Sequence, residues 1–298
     1  MLKIDPKNIE TPKLHSYLLA AVGPRPIALV STINESGVSN LSPYSFFNIF
    51  SANPPIAIFS PARRVRDNTT KHTLENVIKN KEAVINIVSY KMVQQTSLSS
   101  TEYDEGIDEF KKAGFTAIAS NTIKPFRVKE SPVQLECKIK DIISLGNKGG
   151  SGNLVISEIN MIHINEEILD KNGIINPNKI DLIGRMGGDW YCRASNDAIF
   201  KVEKPLKKLG IGIDNIPNYI TNSNILSGND LGILGNVEKL PNLTEIKKYG
   251  NDNAYLLKMN LDINKNIEKL HLIAKKLIAD GKTIEAWKTL LINKIIKK

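Results

Sequence analysis

Between Pro26 and Ile164 the chain is a succession of short apolar runs punctuated by Gly, Pro, Asn and Ser. Pro26–Ile33, Ile56–Ser60, Ala83–Val88, Val133–Lys140 and Leu154–Ile164 are rich in Val and Ile, which predicts strands. In the last of these, Val155, Ser157, Ile159, Met161 and His163 share one face, and Ile156, Glu158, Asn160, Ile162 and Ile164 the other. Neither face is purely polar, so cover on both sides is expected, from barrel closure or a subunit interface. Two segments carry a helical spacing instead. Leu74, Val77 and Ile78 line one face of Thr73–Asn80; Ile107 and Phe110 do so in Tyr103–Ala113, with Gly114 placed to end that helix. Asn34-Glu35-Ser36-Gly37 reads as a hairpin turn.

The texture changes near Pro205. Residues 206–245 are rich in Gly, Asn, Pro and Ile and read as a wrapping segment of turns and short strands. Tyr249–Leu261 reads as a further strand. Two apolar stripes then predict a helical hairpin: Ile267, Leu270, Ile273, Leu277 and Ile278, a break at Asp280-Gly281, then Ile284, Trp287, Leu290 and Leu291. These stripes belong to a core or an interface rather than to a cofactor site. The expected architecture is mainly β with peripheral helices, residues 1–204 forming the main domain and 205–298 a C-terminal extension. The irregular strand spacing lacks a βαβ rhythm, and neither GxGxxG nor a phosphate-loop motif occurs, so a doubly wound nucleotide domain is not expected.

Composition narrows the function classes. With 298 residues and 41% hydrophobic content, the chain can bury a sizeable core unaided by disulfides or structural metals. Its two cysteines, Cys137 and Cys192, suggest no disulfide framework, and Cys137 reads as an inert strand residue. The net charge of +9 is uneven: residues 239–298 hold 13 Lys against 6 acidic residues, a surplus of seven. Without interleaved Arg or aromatic readers, this is a solvated face rather than a nucleic-acid footprint. The N-terminus is polar and no apolar stretch is long enough to span a bilayer, which gives the expectation of a cytoplasmic protein with no membrane partner. Four scattered histidines suggest no metal site, and His163 reads as a satisfied strand histidine. GxSxG and HExxH are both missing, so no protein nucleophile or zinc motif presents itself. A redox enzyme fits this gap, because its cofactor supplies the reactive atoms.

The informative region is Gly23–Asn76. Gly23-Pro24-Arg25-Pro26 makes a rigid entry to the first strand. Asn40-Leu41-Ser42-Pro43-Tyr44-Ser45-Phe46 sets small polar and aromatic residues just after a strand, and Lys71-His72-Thr73 stands at a helix start. GPRPIALVST, NLSPYSFFN, PPIAIFS and KHTLENV, followed by DEFKKAGF, ESPVQLECK and GRMGGDWYCR, resemble the flavin reductase-like, FMN-binding split-barrel family, which includes flavoredoxin-type proteins. IGIDNIP and SGNDLGILGNVEKLP resemble its longer members, and the likeness covers roughly residues 12–245. Each motif alone is weak; their ordered succession is specific.

That resemblance implies a split β-barrel, a homodimer, and one FMN per subunit near the dimer interface, with NADH or NADPH as donor. It implies that Arg25, Pro26, Ile27 and Thr32 approach the cofactor from the first strand. Asn40, Leu41, Ser42, Tyr44 and Ser45 would line the ring and ribityl chain; Ser60, Lys71, Thr73 and Asn76 would hold the ribityl or phosphate end; Arg185 would reach the site from a late segment. A helix N-terminus and Lys71 suit an anion. Plainer roles stay open: Lys71 and Thr73 as a solvated charge and an N-cap, Phe46 and Phe47 as core, Arg25 paired with a surface carboxylate. His72 stands where many relatives carry an acidic residue. The implied activity is NAD(P)H-dependent flavin reduction with no catalytic protein acid or base. An FMN electron carrier that exchanges electrons with a partner protein and never meets nicotinamide directly, a pyridoxine-phosphate-oxidase-like reaction, and a flavin-free dimerisation or ligand-sensing barrel are the alternatives.

Overall fold

Alternation within Ala28–Ile33 (β1) decides the centre of the fold. Ala28 and Val30 project to one side and Leu29 to the other, and all three are fully buried, so β1 needs apolar cover on both faces. The computed structural model describes residues 1–104, 106–202, 204–205, 209–257 and 263–296, and both covers are present. Ala28 and Val30 share a core with Tyr44, Phe59, Val77, Ile85 and Val155. Ile27 and Leu29 belong to a second one with Leu41, Met92, Phe110 and Val128.

Thr11–Ala21 (α1) precedes β1. Then come Ser39–Tyr44 (β2), Phe47–Ala52 (β3), Pro55–Phe59 (β4), His72–Asn80 (α2), Glu82–Ile87 (β5), Val93–Leu98 (α3) and Glu109–Ala113 (α4). Ala117–Ile118 (β6), Arg127–Val128 (β7), Val133–Ser144 (β8), Asn153–Ile164 (β9), Pro177–Ile180 (α5), Leu182–Arg185 (β10) and Tyr191–Ala194 (β11) follow. Seven strands form one antiparallel sheet in the order β2-β1-β5-β8-β9-β4-β3, while β6–β7 and β10–β11 pair separately. β2 and β3, neighbours in the chain, thus end the sheet order on opposite sides.

Local chemistry sets the joints. The Asn34 side chain accepts from the backbone of Ser36 and Val38, and Gly37 takes φ +83°, which closes the β1–β2 hairpin where the sequence places it. α2 buries Leu74 and Val77 and stops at Lys81, whose φ is +58°. The helix expected over Tyr103–Ala113 contracts to α4. Asp108 caps it by accepting from Phe110 N, and Gly106 takes φ +88°, outside the helical range; residue 105 lies outside the described ones. Within this one chain β9 is covered along its first half, while Asn160, Met161, Ile162 and Ile164 are exposed. Phe46, expected in the core, is 42% exposed and stands edge-on to His15; Phe47 is buried. Their positions differ because successive residues of an extended chain face opposite sides.

Residues 1–200 form one compact unit and 201–298 another. Among its described residues the second contains helices and no strand: Asn218–Thr221 (α6), Gly228–Gly235 (α7), Leu243–Asp252 (α8), Ala254–Leu257 (α9), Ile263–Ala279 (α10), Thr283–Leu290 (α11) and Asn293–Ile296 (α12). The short strands expected in 206–245 and the strand expected at Tyr249–Leu261 are therefore corrected to helix, residues 206–208 and 258–261 lying outside the described ones. Asn242 and Glu245 make a reciprocal capping box that starts α8, and Ile246 and Gly250, four apart, are buried together. The mainly β expectation becomes a mixed α/β fold. The predicted hairpin is α10 and α11, with Gly281 at φ +74° between them. Its centre is Trp287, fully buried, with Nε1 donating to the Leu234 carbonyl at 3.0 Å. Among the described residues no helix is long and apolar enough to cross a membrane.

Candidate functional site

β1, β2 and the start of α2 bring polar side chains together under the surface. Thr73 Oγ1 donates to Asn40 Oδ1 at 2.6 Å, Thr32 Oγ1 lies 3.4 Å from the same oxygen, and Asn76 Nδ2 donates to Thr32 Oγ1 at 3.0 Å. Thr32, Asn40, Thr73 and Asn76 are all buried. They join because β1 pairs with β2 in a register that sets Thr32 opposite Asn40, while the first two turns of α2 supply Thr73 and Asn76. Lys71, not Thr73, is the N-cap of α2, and the Thr73 hydroxyl turns inward instead of capping.

Glu109, at the start of α4, completes this network and was not foreseen. It is 5% exposed; Oε1 accepts from Asn40 Nδ2 at 2.9 Å and Oε2 from Leu41 N at 3.1 Å. Burial pushes its carboxyl above the ordinary range, and the hydrogen bonds and the nearby His72 draw it back part of the way. The sequence signal was slight: an acidic residue directly after an N-capping Asp.

A pocket opens over this network, lined from β2 by Asn40, Ser42 and Tyr44, and from the α2 entrance by Lys71, His72 and Thr73. Arg64 and the segment Ser99–Tyr103 form its other wall. Arg64 and Ser99–Tyr103 were also unforeseen, since nothing local marks a loop that folds back over a strand. Two features give the pocket its chemistry. Among the described residues no group meets the Tyr44 hydroxyl at hydrogen-bonding geometry; burial pushes the phenol up to about 12, and the nearby polar side chains of Thr73 and Ser42 draw it back only in part. The Lys71 ammonium lies 5.3 Å from the Tyr44 ring centre, and burial followed by the charge of Arg64 pushes it down. Among the described residues Arg64 has a carboxylate partner, Glu102 at 2.9 Å, and Lys71 has none. A desolvated cation beside an unsatisfied hydroxyl is an arrangement that an anionic, hydrogen-bonding ligand would satisfy.

The other expected residues fall elsewhere. Arg25 is buried and donates to the carbonyls of Leu19, Val22 and Met186 and, at 3.3 Å, to Ser45 Oγ. It pairs with no carboxylate among the described residues; it clamps the end of α1 to β10 and β2. Its main chain is bridged to that of Arg185, whose guanidinium sits 4.6 Å over the Tyr191 ring. Burial, then the charge of Arg185, pushes the Arg25 guanidinium down. Ile27 and Leu41 point into the core, so only their main chain is available to a ligand, while Pro26 is exposed. Ser60 is buried beside Gly152, where an added Cβ would come within 2.7 Å of its Oγ. Arg25, Ser45 and Arg185 thus form a second group, joined to the pocket through β2. Among the described residues no three His, Cys, Asp or Glu side chains converge to hold a metal ion.

Comparison with known proteins agrees with this fold. The model of the flavin reductase-like domain matches residues 22–178. An uncharacterized protein of Aquifex aeolicus is 35% identical over 196 residues, 66% of this chain and 97% of its own. Component B of nitrilotriacetate monooxygenase from Bacillus cereus superimposes with a TM-score of 0.63 at 29% identity, over 68% of this chain and 98% of its own. The 2-nitrobenzoate 2-nitroreductase of Pseudomonas fluorescens gives 0.60 at 28% identity, over 70% of this chain and 100% of its own. With a family model spanning more than half its length and relatives aligned nearly end to end, the chain belongs to the flavin reductase-like family.

Proposed function

We propose that the chain binds FMN in the pocket over Asn40 and Lys71 and works as an NAD(P)H-dependent flavin reductase. The observation that carries this reading is the pairing, among the described residues, of a buried Tyr44 hydroxyl without a hydrogen-bond partner and a half-buried Lys71 without an ion-pair partner. Both fit a ligand that brings an anion and several hydroxyls or carbonyls. Lys71 and the first free N–H groups of α2 would hold the phosphate, with Arg64 adding positive charge. Asn40, Ser42, Tyr44, Thr73 and Asn76 would orient the ribityl chain and ring edge, and Ser45, held by Arg25, would stand at the far end of β2. Bound FMN would supply a ring able to accept hydride from a reduced nicotinamide. The protein would contribute orientation and a positive field, both of which lower the barrier without a protein acid or base.

The reading includes a homodimer in the cytoplasm, split-barrel closure, and an electron acceptor that is free flavin, oxygen or a partner protein. Ile49 and Phe50 on the edge strand β3, and Ile162 and Ile164 on β9, are exposed apolar residues that a second subunit would cover. The test is the visible spectrum of the purified protein, followed anaerobically as NADH and then NADPH is added. Rapid bleaching of a yellow protein supports the reductase. A yellow protein that neither nucleotide bleaches is instead an electron carrier, and a colourless one that takes up no FMN overturns the cofactor assignment.

A further inference from the structure

We infer that Glu109 is a positioning residue of the flavin site, setting which way the Asn40 amide faces and so which group Asn40 presents to the ligand. This rests on the FMN reading above. A carboxylate only accepts hydrogen bonds. Two N–H groups converge on Glu109, from Asn40 Nδ2 and from the Leu41 backbone, one to each oxygen. Nδ2 of Asn40 must therefore face Glu109, and Oδ1 must face α2.

The rest of the network follows in order. Oδ1 accepts from Thr73 Oγ1 and from Thr32 Oγ1, which commits both hydroxyl protons. Thr32, its proton spent, accepts from Asn76 Nδ2. Among the described residues the second Nδ2 hydrogen of Asn40 has no partner. Asn40 lines the pocket, so this hydrogen is what it can offer a ligand. The site is thereby set to meet an acceptor, such as a ring carbonyl or ribityl oxygen. Were the amide reversed, Oδ1 would oppose Glu109 and two acceptors would face each other in a buried site.

The inference is tested by exchanging donor and acceptor. In E109Q the new amide can satisfy Leu41 N or Asn40, and it frees Asn40 to turn. Combining N40D with E109Q restores the pairing in reverse: the Gln amide donates to one Asp oxygen, the Gln carbonyl accepts from Leu41 N, and the other Asp oxygen still accepts from Thr73 and Thr32. The restored pairing presents no N–H to the ligand. FMN affinity, the spectrum of the bound flavin and the melting temperature are measured together for wild type, E109Q and the double variant. The expected result is a loss of FMN affinity of about tenfold or more in E109Q. The double variant should recover the melting temperature of the wild type while its FMN affinity stays reduced, because the ligand-facing donor is gone.

Wild-type affinity in E109Q, or wild-type affinity in the double variant, overturns the positioning role. So does affinity that merely follows melting temperature across the set. A wild-type protein that takes up no FMN overturns the cofactor reading as well, which separates that failure from this one.

Discussion

Glu136, on β8, is the most heavily satisfied carboxylate among the described residues, and its removal has a calculable cost. Its side chain is fully buried. It accepts from Asn121 N at 2.8 Å, Thr122 N at 2.7 Å and Thr122 Oγ1 at 2.6 Å, and lies 2.7 Å from His163 Nε2. Burial alone would raise its pKa, but these hydrogen bonds outweigh burial and hold it near 2, against an ordinary 4.5. That depression corresponds to about 3 kcal/mol favouring the ionised, folded state. Because the folded value lies below the unfolded one, the contribution is complete above about pH 5 and fades as pH falls toward 2. Glu136→Gln keeps the shape but turns a donor toward other donors. Calorimetry at pH 7 should show the transition of the first unit lowered by about 6–12 °C, at 2–4 °C per kcal/mol for a domain of this size. The gap from wild type should narrow steadily between pH 5 and pH 2.5. A variant that melts within about 1 °C of wild type at pH 7, or a gap of equal size at pH 3, would refute the reasoning.

Three further outcomes are expected. Tyr44→Phe deletes a buried hydroxyl that has no hydrogen-bond partner among the described residues, so the ligand-free protein should melt no lower than wild type while FMN binds several-fold more weakly; a clear loss of apo stability would contradict the assignment. Lys71→Met should weaken FMN far more than riboflavin, and equal losses for the two ligands in titration would move Lys71 away from the phosphate. Trp287→Ala should cost the second unit about 3–5 kcal/mol, read as the loss or steep shift of its thermal transition, since Trp287 is fully buried and hydrogen-bonded to Leu234.

Sequence pattern alone determined the parts whose physics is local. Runs rich in Val and Ile marked β1, β4, β5, β8 and β9, Asn34 and Gly37 marked a hairpin, and two apolar stripes separated by Asp280-Gly281 marked α10 and α11. The ordered motifs from Gly23 to Asn76 pointed to the family and to Thr32, Asn40, Thr73 and Asn76, which prove to be one hydrogen-bonded group. The tertiary structure decided the rest. Residues 249–252 and Ala254–Leu257 became helical because the capping box that starts α8 and the burial of Gly250 and Leu256 outweighed the strand preference of Tyr. Arg25 became a clamp because three carbonyls converge on it, two from α1 and its end and one from Met186, 161 residues away. Glu109 joined the site only because α4 packs on β2, placing a carboxylate 69 residues along the chain against Asn40. Hydrogen-bond partners of buried polar groups are chosen by which elements pack together, and no local spacing of residues encodes that choice.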